Sequence, residues 1–337
     1  YNEVTNGFAP ARKARSFSSA MDKALEQYQE DVKRGVRSAS YIRELRFTMN
    51  VLKTTCIQNV DIAEVNQAVW NATKKELLKT RPTISDKTIH QYKNAINITL
   101  NEALRRSEIK QLPQFAVEKK KIDATYRTWF TPEEYDKLQT ALYENILYHE
   151  QLKDKWVESA YELLDYVGFV AKTGLRVGEA RNVRFCDVTI VKDKTDLYLE
   201  IRNIKGKRGE MGECKSFYAA DITFHNIIER HGLTLENYKS NEATIFKAYH
   251  RDMFKEVLRK ADLYWTKDRK PRKRDLMSLR HTYICFRLLD KAPIYDIAAN
   301  CRTSVAMIQQ HYARHLSVLQ STTINVNTWD EEEEEDE

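Results

Sequence analysis

Apolar residues recur every three or four positions along most of the chain, and the stripes they form predict a mainly helical protein. FSSAMDKALEQYQEDVKRG (17–35) reads as a helix with Ser18 or Ser19 as N-cap and Gly35 as its stop. SASYIRELRFTMNVLKTT (38–55) places Ile42, Leu45, Met49 and Leu52 on one stripe. IAEVNQAVWNATKKELL (62–78) and SDKTIHQYKNAINITLNEALRRSEI (85–109) give two more helices, the second capped by Ser85. A small bundle of about four helices is therefore expected over residues 16–112.

LPQFAVEKKKIDATYRTWF (112–130) has a proline, a lysine triplet and no helical period, which reads as a linker over 113–130. A helix then restarts with Thr131 as N-cap, Pro132 in its first turn and Glu134 closing a capping box. DKWVESAYELLDYVGFVAKTG (154–174) forms a helix with Trp156, Ala160, Leu163, Leu164, Val167 and Ala171 on one face, ended by Gly174. The period then switches to two. VTIVK (188–192) and LYLEIRNI (197–204) alternate as strands around DKTD. KGKRGEMGE (205–213) is a basic, glycine-bearing turn, CKSFYAA (214–220) a third strand, and helical pattern resumes to about residue 320. The fold class is mainly α with a small antiparallel β-sheet. The organisation is an arm (1–15), a helical domain (16–112), the linker, a mixed α/β domain (131–322) and an acidic tail (323–337).

Charge sharpens this picture. The last eight residues, DEEEEEDE, are all acidic; taking their eight charges from the net +6 leaves +14 on the rest. A body that basic points to a polyanion, nucleic acid first. Six of the eight residues in KDRKPRKR (267–274) are basic, and Arg272, Lys273 and Arg274 read as phosphate contacts. Lys119, Lys120 and Lys121 in the linker are placed to track a duplex backbone. Arg43, Arg46, Lys87 and Lys93 are the groove-reading candidates of the helical domain. The tail reads as a solvated end. Five scattered cysteines include no CxxC and no zinc spacing, and no apolar run approaches a membrane span. YNEVTNGFAPARKARSF has no apolar stretch of the signal-peptide kind. A reducing, cytoplasmic setting with no membrane, metal or cofactor is expected.

Three stretches carry candidate chemistry. TGLRVGEARNV (173–183) sets Arg176 at a turn just past a helix-stopping glycine, with Glu179 three residues on. SLRHTYICFRLL (278–289) is expected to expose Arg280 and His281 near a helix start. TSVAMIQQHYARH (303–315) is a short helix with Tyr312 near its end, on a stripe with Val305 and Ile308. Two arginines, a lysine and a tyrosine suffice to cut a phosphodiester without metal. The tyrosine oxygen attacks phosphorus, guanidinium forks stabilise the non-bridging oxygens, and the lysine protonates the leaving oxygen. Lys205 and Lys207 both qualify. They share strand parity with Leu197, Leu199 and Ile201, so alternation does not choose between them. Lys205 is favoured because it follows the strand directly.

In this order and spacing, TGLRVGEA, SLRHTY and TSVAMIQQHY resemble the tyrosine recombinases, or phage integrases, over about residues 16–320. The resemblance implies that the helical domain is a core-binding domain. It makes Tyr312 the nucleophile, Arg176 and Arg280 the paired arginines, Glu179 the residue that buttresses Arg176, and a hairpin lysine the general acid. It implies site-specific cutting and rejoining of double-stranded DNA through a 3′-phosphotyrosyl intermediate, without cofactor. The assembly would be a homo-tetramer on paired sites, with accessory DNA-bending proteins as further candidate partners. The setting would be a mobile element in a bacterial host cell or its nucleoid. Two positions depart from the pattern. Met277 stands where many members have a histidine three residues before the second arginine. Thr303, preceded by Arg302 in place of glycine, stands where a histidine or tryptophan is common. His281 or His311 are the stand-ins for the missing proton-handling groups. These departures keep open a catalytically decayed DNA-binding protein; a type IB topoisomerase, with the same nucleophile and no strand exchange, is the other alternative.

Overall fold

The computed structural model describes residues 15–116, 127–193, 196–206, 211–248 and 250–319, the seven after Tyr312 by backbone alone. The expectations placed on Lys119, Lys120, Lys121, Lys207, the arm and the acidic tail lie outside these residues. The chain divides into two compact units, residues 1–121 and 122–337.

The first unit packs four α-helices, α1 (Phe17–Lys33), α2 (Ala39–Leu52), α3 (Gln67–Thr80) and α4 (Asp86–Arg105), with short 3-10 turns between α2 and α3. Ile42, Leu45, Met49 and Leu52 are all buried, the last three in a core that includes Trp70, Tyr92 and Ile96. Two starts differ from the sequence expectation. α1 is capped by Ser16, whose hydroxyl accepts the Ser19 N–H, so Ser18 and Ser19 lie inside the helix. The fully buried Phe17 occupies the first helical position, and that burial decides the register. α3 begins at Gln67 because Asn66 accepts the N–H groups of Ala68 and Val69, leaving Ile62–Glu64 as a separate 3-10 turn.

The second unit opens with α5 (Pro132–Leu152), where Thr131 and Glu134 close the expected capping box. α6 (Val157–Thr173) is its central helix, buried almost all round from Asp165 to Ala171. Trp156 is not on its buried face: it is the N-cap and half-exposed, because the core closes one turn further on. Gly174 ends α6 at φ +66°, and the four-residue helix α7 (Val177–Ala180) follows. Three antiparallel strands in sequence order, β1 (Val188–Asp193), β2 (Asp196–Lys205) and β3 (Met211–Lys215), make the sheet. β3 starts earlier than expected, and Ser216–Ala219 turn away toward α8 (Ala220–Arg230). α9 (Arg251–Lys260), α10 (Leu276–Leu289), α11 (Ile294–Asn300) and α12 (Val305–Leu319) complete the unit.

β2 carries a bulge. Ile201 pairs with Cys214 but Ile204 with Gly212, so β2 has one residue more than β3 over this stretch. Asn203 takes it up at φ +54°. Ile201 and Ile204 are both buried although their parity differs. The shared parity of Lys205 with Leu197, Leu199 and Ile201 therefore breaks, and Lys205, the last residue of β2 rather than the first beyond it, is exposed.

Among the described glycines, Gly174 has the closest neighbour. A Cβ there would lie 2.4 Å from Cδ1 of Tyr283 on α10. Gly174→Ala combines left-handed strain with overpacking. It should cost about 2–5 kcal/mol in urea unfolding, whereas a loss below about 1 kcal/mol would show that the turn relaxes freely.

Candidate active site

The α6–α7 turn, the first turns of α10, the α11–α12 turn and the middle of α12 converge on one cavity of about 430 Å³. Among the described residues its lining includes Arg127, Arg176, Arg272, Lys273, Arg280, His281, His311 and Tyr312, with Asp275 as the one carboxylate. Five arginine and lysine side chains against one aspartate make it a site for an anion.

Each functional group has a local cause. Leu175 is fully buried after the glycine turn, which brings the chain out extended at Arg176 (φ −70°, ψ 151°), the N-cap of α7. Glu179, in the first turn of α7, folds back: its Oε2 accepts the Arg176 backbone N–H at 2.9 Å. Its Oε1 accepts Nη1 of the Arg176 guanidinium at 2.6 Å. Arg176 Nη2 donates to the Arg302 carbonyl at 2.8 Å. Arg280 Nη1 donates to the Gly174 carbonyl at 2.6 Å and its Nη2 to the Cys301 carbonyl at 2.5 Å. Arg280 thus ties the end of α6 to the end of α11. A guanidinium has five N–H donors, so both arginines keep donors for the cavity they line.

Glu179 is the hub. Arg302 Nη2 donates to its Oε2 at 2.6 Å, and Arg280 Nη1 lies 3.9 Å from the same oxygen. Burial pushes the Glu179 carboxyl up, but the Arg176 backbone N–H, the charge of Arg302 and the two guanidinium hydrogen bonds outweigh it and hold the group below its usual range.

Arg280, His281 and Tyr312 are only 4%, 8% and 5% exposed, so α10 buries rather than exposes its arginine and histidine. α12 is laid across them: it runs to Leu319, so Tyr312 sits in mid-helix, seated by Ile308. His281 Nδ1 and the Tyr312 hydroxyl share a short hydrogen bond. Burial, then the neighbouring Arg127, Arg280 and His311, push the imidazole down to about 3. Burial raises the Tyr312 phenol above its ordinary range, with Arg280 and Arg127 pulling the other way. At neutral pH the pair is a neutral imidazole against a neutral phenol, one proton transfer from a phenolate.

Other expected residues fall elsewhere. Arg274 is a correction: it is 5% exposed, pairs with Glu134 at 2.6 Å, donates to the carbonyls of Trp129 and Leu263, and lies over Phe130. Its fork is consumed in holding the start of α5, and Arg272 and Lys273 alone of that run reach the cavity. Lys205 is not among the cavity's lining residues. Arg43 and Arg46 are exposed one helical turn apart on α2, and Lys87 is exposed in the first turn of α4. Lys93 instead donates to the Ala116 carbonyl at 3.0 Å and lies over Phe115. Met277 and Thr303 both line the cavity. Sequence reasoning gave no role to Arg302 or Arg127. Arg302 stood out only as a departure from glycine, and Arg127 carried no signal within a basic stretch. Among the described residues, no cluster of three or more His, Cys, Asp or Glu side chains could hold a metal ion, and no helix is long and apolar enough to cross a membrane.

A four-helix unit, and a mixed unit with an arginine-lined cavity around a tyrosine on its last described helix, define the class: the chain has the fold of the tyrosine recombinases. The Tn1549 transposon integrase in complex with a circular intermediate DNA is similar at TM-score 0.59 and 12% identity, over 91% of this chain and 99% of that one. The XerH site-specific recombinase bound to a palindromic difH substrate is similar at TM-score 0.61 and 11% identity, over 94% and 98%. A lambda integrase dimer bound to a core site gives 0.56 and 13%, over 86% and 76%. No protein-family model and no curated protein matches the sequence. At these identities the likeness is one of fold.

His281 also sets an acid limit on stability. Above its ordinary value of 6.5 the imidazole is neutral in both folded and unfolded chains; between 6.5 and about 3 only the unfolded chain takes the proton. This contribution is complete above 6.5 and is lost as the pH falls toward 3. The melting temperature of wild type should therefore drop more steeply from pH 7 to pH 4 than that of His281→Gln. Parallel curves would show that His281 is not buried neutral.

Proposed function

We propose that the chain is a site-specific DNA recombinase of the integrase type, which cuts and rejoins duplex DNA through a 3′-phosphotyrosyl intermediate. The observation that carries this reading is the Tyr312 hydroxyl hydrogen-bonded to a neutral His281 inside the cavity lined by Arg176 and Arg280. With a scissile phosphate in the cavity, the free N–H groups of Arg176 and Arg280 hold its non-bridging oxygens, where charge builds in the transition state. Tyr312 Oη attacks phosphorus as its proton passes to His281 Nδ1. The P–O5′ bond breaks, and the 5′ oxygen takes a proton from a hairpin lysine, Lys205 or Lys207. The 5′ hydroxyl of a partner strand then attacks the phosphotyrosine and frees Tyr312. One phosphoester replaces another at each step, so no ATP is consumed.

The similar integrase and recombinase structures hold DNA, which supports duplex DNA as the partner. Arg272 and Lys273 at the cavity, and Arg43, Arg46 and Lys87 on the helical unit, are its proposed contacts. Action as a homo-tetramer on paired sites, with accessory DNA-bending proteins as candidate partners, belongs to the same reading. Met277 and Thr303 favour one alternative, a non-catalytic DNA-binding protein, because they bring no titratable group to the cavity wall.

The test is covalent trapping. Wild type incubated with nicked duplexes and denatured should carry DNA, and Tyr312→Phe should carry none while binding the same duplexes. His281→Gln should slow adduct formation by roughly 10²–10⁴-fold, the range of a lost general base. Specific binding by wild type without any adduct would establish the non-catalytic alternative. Relaxation of supercoiled plasmids without site preference would instead indicate a topoisomerase.

A further inference from the structure

Arg302 lies where the tyrosine-recombinase pattern carries glycine, and its backbone shows why glycine suits the place: φ is +48°, in the left-handed region. Its side chain nevertheless turns inward and is 17% exposed. Nη2 donates to Glu179 Oε2 at 2.6 Å, and Nη1 donates to the Glu213 carbonyl at 3.2 Å and the Asn300 carbonyl at 3.1 Å. The side chain crosses β3 at Gly212, where a Cβ would lie 2.7 Å from Arg302 Cδ. A glycine on the strand is what lets it pass. Among the described residues, Nε is buried and finds no nitrogen or oxygen partner. A left-handed arginine and a buried N–H so placed are both unfavourable, and glycine would remove both. The guanidinium must therefore supply something that glycine does not.

What it supplies is a second hold on Glu179. Arg176 fixes that carboxylate from the α7 side, through its backbone N–H and its Nη1. Arg302 fixes it from the sheet side while gripping the β3 backbone at Glu213. Asn300 fastens the same strand, its amide donating to the Lys215 carbonyl and accepting the Lys215 N–H. Resting on the phosphodiester-cleavage reading, we propose that Arg302 is a positioning residue. It locks Glu179 in the orientation that presents Arg176 and Arg280 to the cavity, and through Gly212 and Glu213 it couples that lock to the β2–β3 hairpin. A shift of the hairpin is then felt at the phosphate-binding arginines through Arg302, independently of the hairpin lysine that protonates the leaving oxygen.

The experiment is a double-mutant cycle of Arg302→Gly and Gly212→Ala in the full chain, with Arg302→Lys alongside. The readouts are adduct rate at saturating nicked duplex, DNA affinity and melting temperature. Arg302→Gly should slow adduct formation by about tenfold or more with affinity within roughly twofold, the pattern of an interaction lost at the chemical step. Its melting temperature should fall, because buried Glu179 loses a partner, with relief of the left-handed backbone offsetting part of the loss; a merely structural arginine would lower DNA affinity along with the rate. Gly212→Ala should slow the reaction when Arg302 is present and change it by less than about twofold when Arg302 is glycine. Arg302→Lys, which keeps the charge but not the fork, should fall between. A wild-type rate for Arg302→Gly, or equal effects of Gly212→Ala in both backgrounds, would overturn the proposal. A wild type that forms no adduct contradicts the cleavage reading instead. Inorganic phosphate, titrated against the same proteins and followed by its 31P resonance, then decides the positioning role. Binding several-fold weaker in Arg302→Gly supports it; equal binding, or none to either protein, overturns it.

Discussion

One carboxylate organises the second unit's cavity. Glu179 is buried, and three guanidiniums, of Arg176, Arg280 and Arg302, converge on it from α7, α10 and the α11–α12 turn. A buried carboxylate stays charged only when paired and hydrogen-bonded, and here both conditions are met several times over. The balance is uneven: three positive groups share one negative group, so the cluster keeps a surplus of positive charge beside the cavity that Arg176 and Arg280 line. That surplus makes the cavity a place for an anion.

The surrounding fold serves this arrangement. Gly174 must be glycine for Tyr283 to pack against it, and its carbonyl is then free to receive Arg280. Arg280 in turn closes α6 onto the α11–α12 turn through the Cys301 carbonyl, which fixes where α12 begins. α12 carries Tyr312 over His281, and burial keeps both neutral. Position and proton state therefore follow from the same packing. On the recombinase reading, the nucleophile is held unreactive until a phosphate enters, since a phenol raised by burial needs both the neighbouring base and the arginine field to ionise.

Much of this was legible in the residues themselves. Helix stripes such as Ile42, Leu45, Met49 and Leu52, the Thr131–Glu134 capping box and the Gly174 stop follow from local chemistry, and the structure has them. Arg176, Glu179, Arg280, His281 and Tyr312 were all named, and the structure brings them together. What was hidden depended on tertiary contacts. The bulge at Asn203 reverses the alternation that strand parity assumed. Arg274 looked like one more cation in a basic run, yet Glu134, more than a hundred residues away, claims it. Arg302 looked like a defect in a motif, and only the path over Gly212 shows that it reaches Glu179. A solvated charge and a buried one have the same letter in a sequence; what separates them is which distant backbone lies beside them.

The central claim is that Tyr312 attacks phosphorus. It is tested most directly by digesting a trapped protein–DNA complex and weighing the peptides. The account predicts that the peptide containing Tyr312 gains the mass of a nucleotide joined through its 3′ phosphate, with the downstream fragment of the cut strand released bearing a free 5′ hydroxyl. A nucleotide on another side chain, a linkage through a 5′ phosphate, or cleavage with no protein-linked product would contradict it.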